Sequence, residues 1–147
     1  VNNAANDIAA DADNKGVKIM RNIEKLPTLS ADAGRIGEVL ANILNNALSF
    51  TSPGGTITLT ATSKDHVVLV RVADTGIGIS QENLKKLFIP FTQIETGLGR
   101  KHEGLGLGLV ISKGIIEAHD GTMWAESEGE GKGATFSFRL PIRERNR

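Results

Sequence analysis

Cysteine is absent from this chain of 147 residues, which excludes a disulfide framework, a thiolate metal site and a thiol redox pair. That absence is compatible with a cytosol. Neither sign of charge dominates: 17 Lys and Arg balance 17 Asp and Glu, so nucleic acid or an anionic membrane surface has no electrostatic footprint to meet. No apolar run reaches bilayer-spanning length, and no signal-peptide pattern opens the chain. The first residue is Val rather than Met, which points to a piece excised from a longer protein and leaves membrane attachment of that parent open. Aromatic residues are few. Glycine, at 17, is plentiful and unevenly placed.

The length suits one compact domain over residues 1–147. Residues 1–14 are rich in Ala and Asp, with weak helical character. VKIMRNI (17–23) alternates like a half-buried strand. A helix is expected from about Arg35 to Phe50, with Asp32 placed to cap it, and SPGG (52–55) ends it. TITLTATS (56–63) and VVLVRVAD (67–74) read as an antiparallel hairpin. A short helix follows over 80–87, capped by Ser80. From Phe88 to about Gly106 the pattern dissolves into glycine and charge. Helical periodicity returns over 107–120 and Gly121 stops it. His119 sits at that helix end, where it caps carbonyls. Two last strands, near 122–127 and 134–140, flank the turn EGEGKG. Three helices on one face of a mixed, mostly antiparallel sheet make an α/β two-layer sandwich.

The helix NILNNALSF (42–50) carries three asparagines, each costing roughly 0.6 kcal/mol relative to Ala in a helix interior. Ile36, Val39, Leu40, Ile43, Leu44, Ala47 and Phe50 form the apolar stripe, and Glu38, Asn42, Asn45, Asn46 and Ser49 lie opposite. Asn42 and Asn46 are an i, i+4 pair. Their amides suit either a hydrated hard cation such as Mg²⁺ or the backbone of a loop packed on that face.

DTGIGI (74–79) follows an apolar strand directly. Asp74 either starts an ordinary turn or presents a carboxylate that accepts a hydrogen bond from an exocyclic amine such as adenine's; guanine offers an oxygen there and is repelled. EGLGLGL (103–109) stands where a loop becomes a helix, as a flexible turn or a phosphate cradle. Its GxGxG spacing, with no preceding strand, fails the dinucleotide fingerprint, and Gly131–Lys132 lacks the upstream glycine of a Walker loop.

Taken in order, the Asn-bearing helix, the strand-end Asp-x-Gly-x-Gly, Phe88-x-x-Phe91, the Gly-rich helix start and GKGATF (131–136) resemble the ATP-binding catalytic domain of sensor histidine kinases. That domain belongs to the superfamily of gyrase, heat-shock chaperone, histidine kinase and mismatch-repair ATPases, whose fold is the Bergerat type. The likeness covers about residue 5 to Leu140. It implies ATP and Mg²⁺ as ligands, with Asn46 on the metal and Asn42 on the phosphate side. Asp74 would take the adenine amine, Gly76 and Gly78 would admit the base, and Thr135 would reach the same edge through water. Phe50, Ile79 and Phe88 would line the nucleotide. Phe88 to Gly106 resembles the family's lid, with Arg100 and Lys101 facing the phosphates. Gly104, Leu105, Gly106, Leu107, Gly108 and Leu109 would form the cradle. Asn42 and Arg100 would be the catalytic pair.

Within that resemblance, members that hydrolyse ATP place a Glu where this chain has Asn42, whose neutral amide accepts no proton at pH 7. Glu38 lies about 12 Å from Asn46 along the helix axis. Phosphoryl transfer is therefore expected over hydrolysis. The family's usual Lys is Ser49 here, and its usual Thr in the glycine cluster is Leu105. The acceptor histidine is missing: His66 lies in a hairpin loop, and His102 sits among glycines rather than on a helix. The resemblance places the acceptor on an upstream dimerisation helix pair of a homodimeric parent, with a response-regulator receiver domain downstream and this domain in the cytoplasm. It implies no self-phosphorylation by these residues alone. The alternatives are an anti-sigma-type serine kinase and a nucleotide-sensing module that has lost transfer, which Ser49 permits.

Overall fold

A computed structural model describes residues 2–24, 33–89 and 108–142. In chain order it contains α1 (Asn2–Lys15), β1 (Lys18–Ile23), α2 (Ala33–Phe50), β2 (Thr56–Lys64), β3 (Val67–Asp74), α3 (Gln81–Lys86), α4 (Gly108–Ala118), β4 (Thr122–Glu126) and β5 (Ala134–Pro141). The strands form one sheet in the order β1-β2-β3-β5-β4. Only β1–β2 is parallel; the other three pairings are antiparallel. The parallel pair follows from its connection, since α2 lies between its strands in the chain and carries it back across the sheet.

Period-2 alternation sorts the sheet into two faces. Leu59, Val72, Phe136 and Ala125 lie in one cross-strand row, and Ala61, Val70, Phe138 and Met123 in the next. These rows face the helices and, apart from the half-buried Ala125, are fully buried, with Phe136 and Phe138 the largest side chains in the core. The row at the sheet's end is Ile57, Asp74 and Ala134. Asp74 is thus a carboxylate in a row that elsewhere carries core hydrocarbons. The opposite face carries Thr58, Ala73, Thr135 and Glu126.

The two-layer sandwich expected from the sequence is present, with one correction: four helices occur among the described residues, not three. The additional one is α1, which buries Ala4, Ala5, Ile8 and Ala12. Three of those four are alanines, so its apolar stripe gives little hydrophobic contrast in the sequence while allowing close packing on α2. On α2, Val39, Leu40, Ile43, Leu44, Ala47 and Phe50 are buried as the periodicity predicts, with Leu48 beside them. Asp32 lies outside the described residues. Ser80 caps α3, its hydroxyl accepting from the Asn83 N–H at 3.1 Å.

The end of α4 differs in its cause from the expectation. The left-handed residue is Asp120 (φ 61°), not Gly121. The Asp120 N–H reaches the Glu117 carbonyl and the Gly121 N–H the Ile116 carbonyl, both at 2.9 Å, which is a Schellman closure. Glycine is required at 121 because a Cβ there would overlap the Arg139 carbonyl of β5. His119 does cap: its Nδ1 lies 2.8 Å from the Ile115 carbonyl, so that nitrogen carries the proton and donates.

Candidate functional site

Asp74 ends β3 with its side chain 7 % exposed. Its Oδ1 accepts from the Gly76 N–H at 2.9 Å and the Ala134 N–H at 3.3 Å. Its Oδ2 is buried without a hydrogen-bond partner among the described residues. Burial pushes the carboxyl's pKa above its ordinary 3.8, against the two N–H bonds that lower it. A buried acceptor left unpaired costs free energy, and here it is held in place by neighbours that have no slack. A Cβ on Gly76 would overlap the Phe50 carbonyl, which also accepts from the Ile77 N–H at 3.0 Å. Gly78 (φ +72°) leaves no room for a side chain against the Gly129 carbonyl, nor Gly133 (φ +70°) against the Asp74 carbonyl. The loop after β3 and the turn between β4 and β5 therefore meet backbone to backbone.

The Asn-bearing face of α2 forms the other end. Asn42 donates from Nδ2 to the Ser112 hydroxyl on α4 at 2.9 Å. A Cβ at Gly108, the first residue of α4, would come within 2.8 Å of the Asn42 amide. Asn46, one turn on, is 6 % exposed. Eight residues separate Asn42 from Phe50, about 12 Å of helix. So α2 joins an amide-bearing surface at α4 to the buried carboxylate beyond its C-terminus. Ser49 is exposed, and its carbonyl and that of Leu48 accept from Lys15 Nζ at 3.3 and 2.7 Å. This ammonium from α1 offsets the negative end of the α2 dipole. Ile79 is buried, while Phe88 and Leu109 pack partly buried against the core. Lys113 Nζ stands 4.6 Å from the centroid of the Phe88 ring.

Thus Phe50, Asp74, Gly76, Gly78 and Ile79 gather at one end, and Asn42, Asn46, Gly108 and Leu109 lie along α2 and the start of α4. Thr135 does not join them. It pairs with Ala73 while Ala134 pairs with Asp74, so alternation turns its side chain to the opposite sheet face. The residue beside Asp74 on its own face is Ala134, which contributes a backbone N–H and no hydroxyl. Arg100, Lys101, Gly104, Leu105, Gly106 and Leu107 lie outside the described residues. Ser112 and Ser127 make contacts at the two ends that no motif singled out; the partners that join separate elements, Asn42 and Ile79, are distant in the chain, and a lone serine gives no sequence signal.

Comparison with known proteins gives the family and the fold. A family model for the histidine kinase-, DNA gyrase B- and HSP90-like ATPases matches residues 31–144. The adaptive-response sensory kinase SasA of Synechococcus elongatus is 40 % identical over 118 residues, 80 % of this chain and 30 % of that protein. Full-length ShkA in complex with AMPPNP superposes with a TM-score of 0.85 at 32 % identity, covering 99 % of this chain and 30 % of that one. The histidine kinase ThkA in complex with the response regulator TrrA superposes with a TM-score of 0.77 at 26 % identity, covering 97 % of this chain and 39 % of that one. The chain therefore spans well under half the length of each of these relatives.

Proposed function

The chain belongs to the histidine kinase-, DNA gyrase B- and HSP90-like ATPases, as a catalytic domain of the sensor histidine kinase type, and from that membership we propose that it binds Mg-ATP and transfers the γ-phosphoryl group to a histidine on a separate dimerisation domain. The observation that carries the reading is Asp74. With two backbone donors on Oδ1, Oδ2 is a buried acceptor to which no described residue supplies a donor. The exocyclic amine of adenine is such a donor, and a 6-oxo base is not.

At the other end, Asn42 and Asn46 offer neutral carbonyl oxygens. No three His, Cys, Asp or Glu side chains converge among the described residues, so a divalent cation would be held by Asn46 with phosphate oxygens and water rather than by a protein cage. Such a cation supplies neutralisation of the charge on the phosphates. Asn42 cannot take a proton from water, which favours transfer over hydrolysis. No described helix is long and apolar enough to cross a membrane. The reading places the domain in the cytoplasm, in a homodimeric parent that passes the phosphoryl group on to a response regulator.

Titration calorimetry with ATP and GTP in Mg²⁺ tests the binding step. A preference for ATP of about 10²-fold or more is expected from an unpaired buried acceptor. Equal affinities would sink the assignment. Radiolabel from [γ-³²P]ATP on a separately supplied histidine-bearing helix pair tests transfer; binding without transfer would leave a nucleotide-sensing module, and label on a partner's serine an anti-sigma-type kinase.

A further inference from the structure

We infer that Ser127 is a positioning residue for the base-reading carboxylate, its hydroxyl clasping the loop after β3 to the turn between β4 and β5 so that Oδ2 of Asp74 stays unpaired and fixed in direction. The inference rests on the assignment of Asp74 as the base acceptor. Ser127 directly follows β4 and is half-buried. Its Oγ accepts from the Ile79 N–H at 3.0 Å and the Gly129 N–H at 3.2 Å, and donates to the Gly133 carbonyl at 2.6 Å. One donor and two acceptors are all that a hydroxyl has, and all are used. The Gly129 carbonyl, 3.3 Å away, is the alternative taker of the same proton.

Both segments that the hydroxyl joins supply a donor to Asp74. Gly133 precedes Ala134, whose N–H binds Oδ1, and Ile79 closes the loop that begins with Gly76, whose N–H binds the same oxygen. A second tie between the segments runs from the Gly131 N–H to the Ile77 carbonyl at 2.6 Å, but it lies at the tips of the two loops. Without the Ser127 hydroxyl, the Ile79 and Gly129 N–H groups and the Gly133 carbonyl lose this partner, and the Ile79 donor lies five positions after Asp74, whose Oδ2 is buried and unpaired among the described residues. The loops then have a new way to satisfy themselves, which is to turn a donor onto Oδ2. A carboxylate oxygen paired from within no longer distinguishes an amine from a carbonyl. The loss therefore falls on base discrimination as well as on affinity, which a serine that only stabilised the turn would not produce.

The test compares Ser127→Ala and Ser127→Thr with the parent chain by calorimetric titration of ATP and of ITP, which carries a carbonyl in place of the adenine amine. The Ala variant is expected to bind ATP about tenfold more weakly and to lose at least roughly threefold of the ATP/ITP ratio, the cost of stranding partly buried donors. The Thr variant, which keeps the hydroxyl, stays within about twofold of the parent in both. Ser127→Cys, nearly the same size and a poor hydrogen-bonding group, carries the comparison if the Ala variant does not fold. An Ala or Cys variant that melts earlier but keeps both affinity and ratio overturns the inference, as does a Thr variant as impaired as Ala. If the parent chain itself does not distinguish ATP from ITP, the base-acceptor assignment of Asp74 fails first and the inference falls with it.

Discussion

At the Asp74 end, peptide groups hold peptide groups: Oδ1 is fixed by two N–H donors, and the spaces beside three glycines are filled by carbonyls of Phe50, Gly129 and Asp74 itself. At the Asn42 end, the contacts run from one side chain to another, an amide on α2 to a hydroxyl on α4. The sheet ladder sets the first arrangement, and loop backbone tied by the Ser127 hydroxyl completes it. The second can change by rotamer. On the proposed reading, recognition of a base would be tied to the register of the fold, while the handling of phosphates would be left to side chains and cations that can be exchanged without rebuilding it.

Glycine substitutions test that contrast most severely. Gly76→Ala drives a Cβ into the Phe50 carbonyl, and neither backbone can yield; a loss of about 3 kcal/mol in urea denaturation is expected. Gly108→Ala meets only the end of the Asn42 amide, which can rotate, and should cost about 1 kcal/mol or less. Comparable losses at both positions would break the distinction.

Asp74→Asn separates binding from stability at the rigid end. ATP affinity should fall by roughly 10²-fold, because the amide that replaces Oδ2 meets the adenine amine donor to donor. Stability should move the other way. The native state holds the Asp74 proton more tightly than the unfolded chain, since burial raises its pKa. The group therefore favours folding while protonated and opposes it once ionised, so its contribution declines as pH rises from 3.8 through the raised value. The Asn variant lacks this decline and should be more stable at neutral pH by about 1 kcal/mol. Thermal melts of both proteins from acid to neutral pH provide the measurement; a variant that loses stability at neutral pH would show that the carboxylate is structural.

At the adaptable end, Ser49→Lys adds a charge on the exposed face that carries Asn42 two turns earlier. Lys15 already places an ammonium at the Ser49 carbonyl, which limits the gain. Tightening of ATP by about 1 kcal/mol, or fivefold, is expected, and it should shrink with added salt. Titrations at two ionic strengths decide it; no gain at low salt would mean the site is already neutralised. The smallest effect belongs to Ser112→Ala, which frees one amide donor of Asn42. A cost of about 0.5–1 kcal/mol in stability, with ATP affinity changed less than threefold, would agree with a side-chain contact that can be remade.

Much of this was legible from residue order. Thr alternating with Ile, Leu and Ala in β2, followed by the Val-rich run of β3, predicts the hairpin to within one residue, and the apolar stripe predicts which face of α2 is buried, because both signals are local. The candidate site was legible as a set of boxes but not as a geometry. Thr135 and Ala134 are neighbours in GATF, and only the pairing register decides which of them faces Asp74; a slip of one residue exchanges them. Ser127 takes its Ile79 partner from 48 residues away and Ser112 its Asn42 partner from 70. No window along the chain contains those contacts. The helix α1 was faint for a different reason, its stripe being mostly methyl groups.

The bond from the Ala134 N–H to Asp74 joins residues 60 apart, and the β3–β5 ladder stands on that closure. Closing a loop costs chain entropy only as the logarithm of its length, about 0.6 kcal/mol for each doubling. Residues inserted or removed between α3 and α4 therefore change the free energy of the sheet very little, provided that the ladder keeps its register. The connection can be rewritten in length over evolutionary time while the Asp74 carboxylate remains where it is. The corresponding burden falls on folding speed: contacts between residues so far apart form slowly, and the surroundings of Asp74 are completed only when β5 reaches its place beside β3.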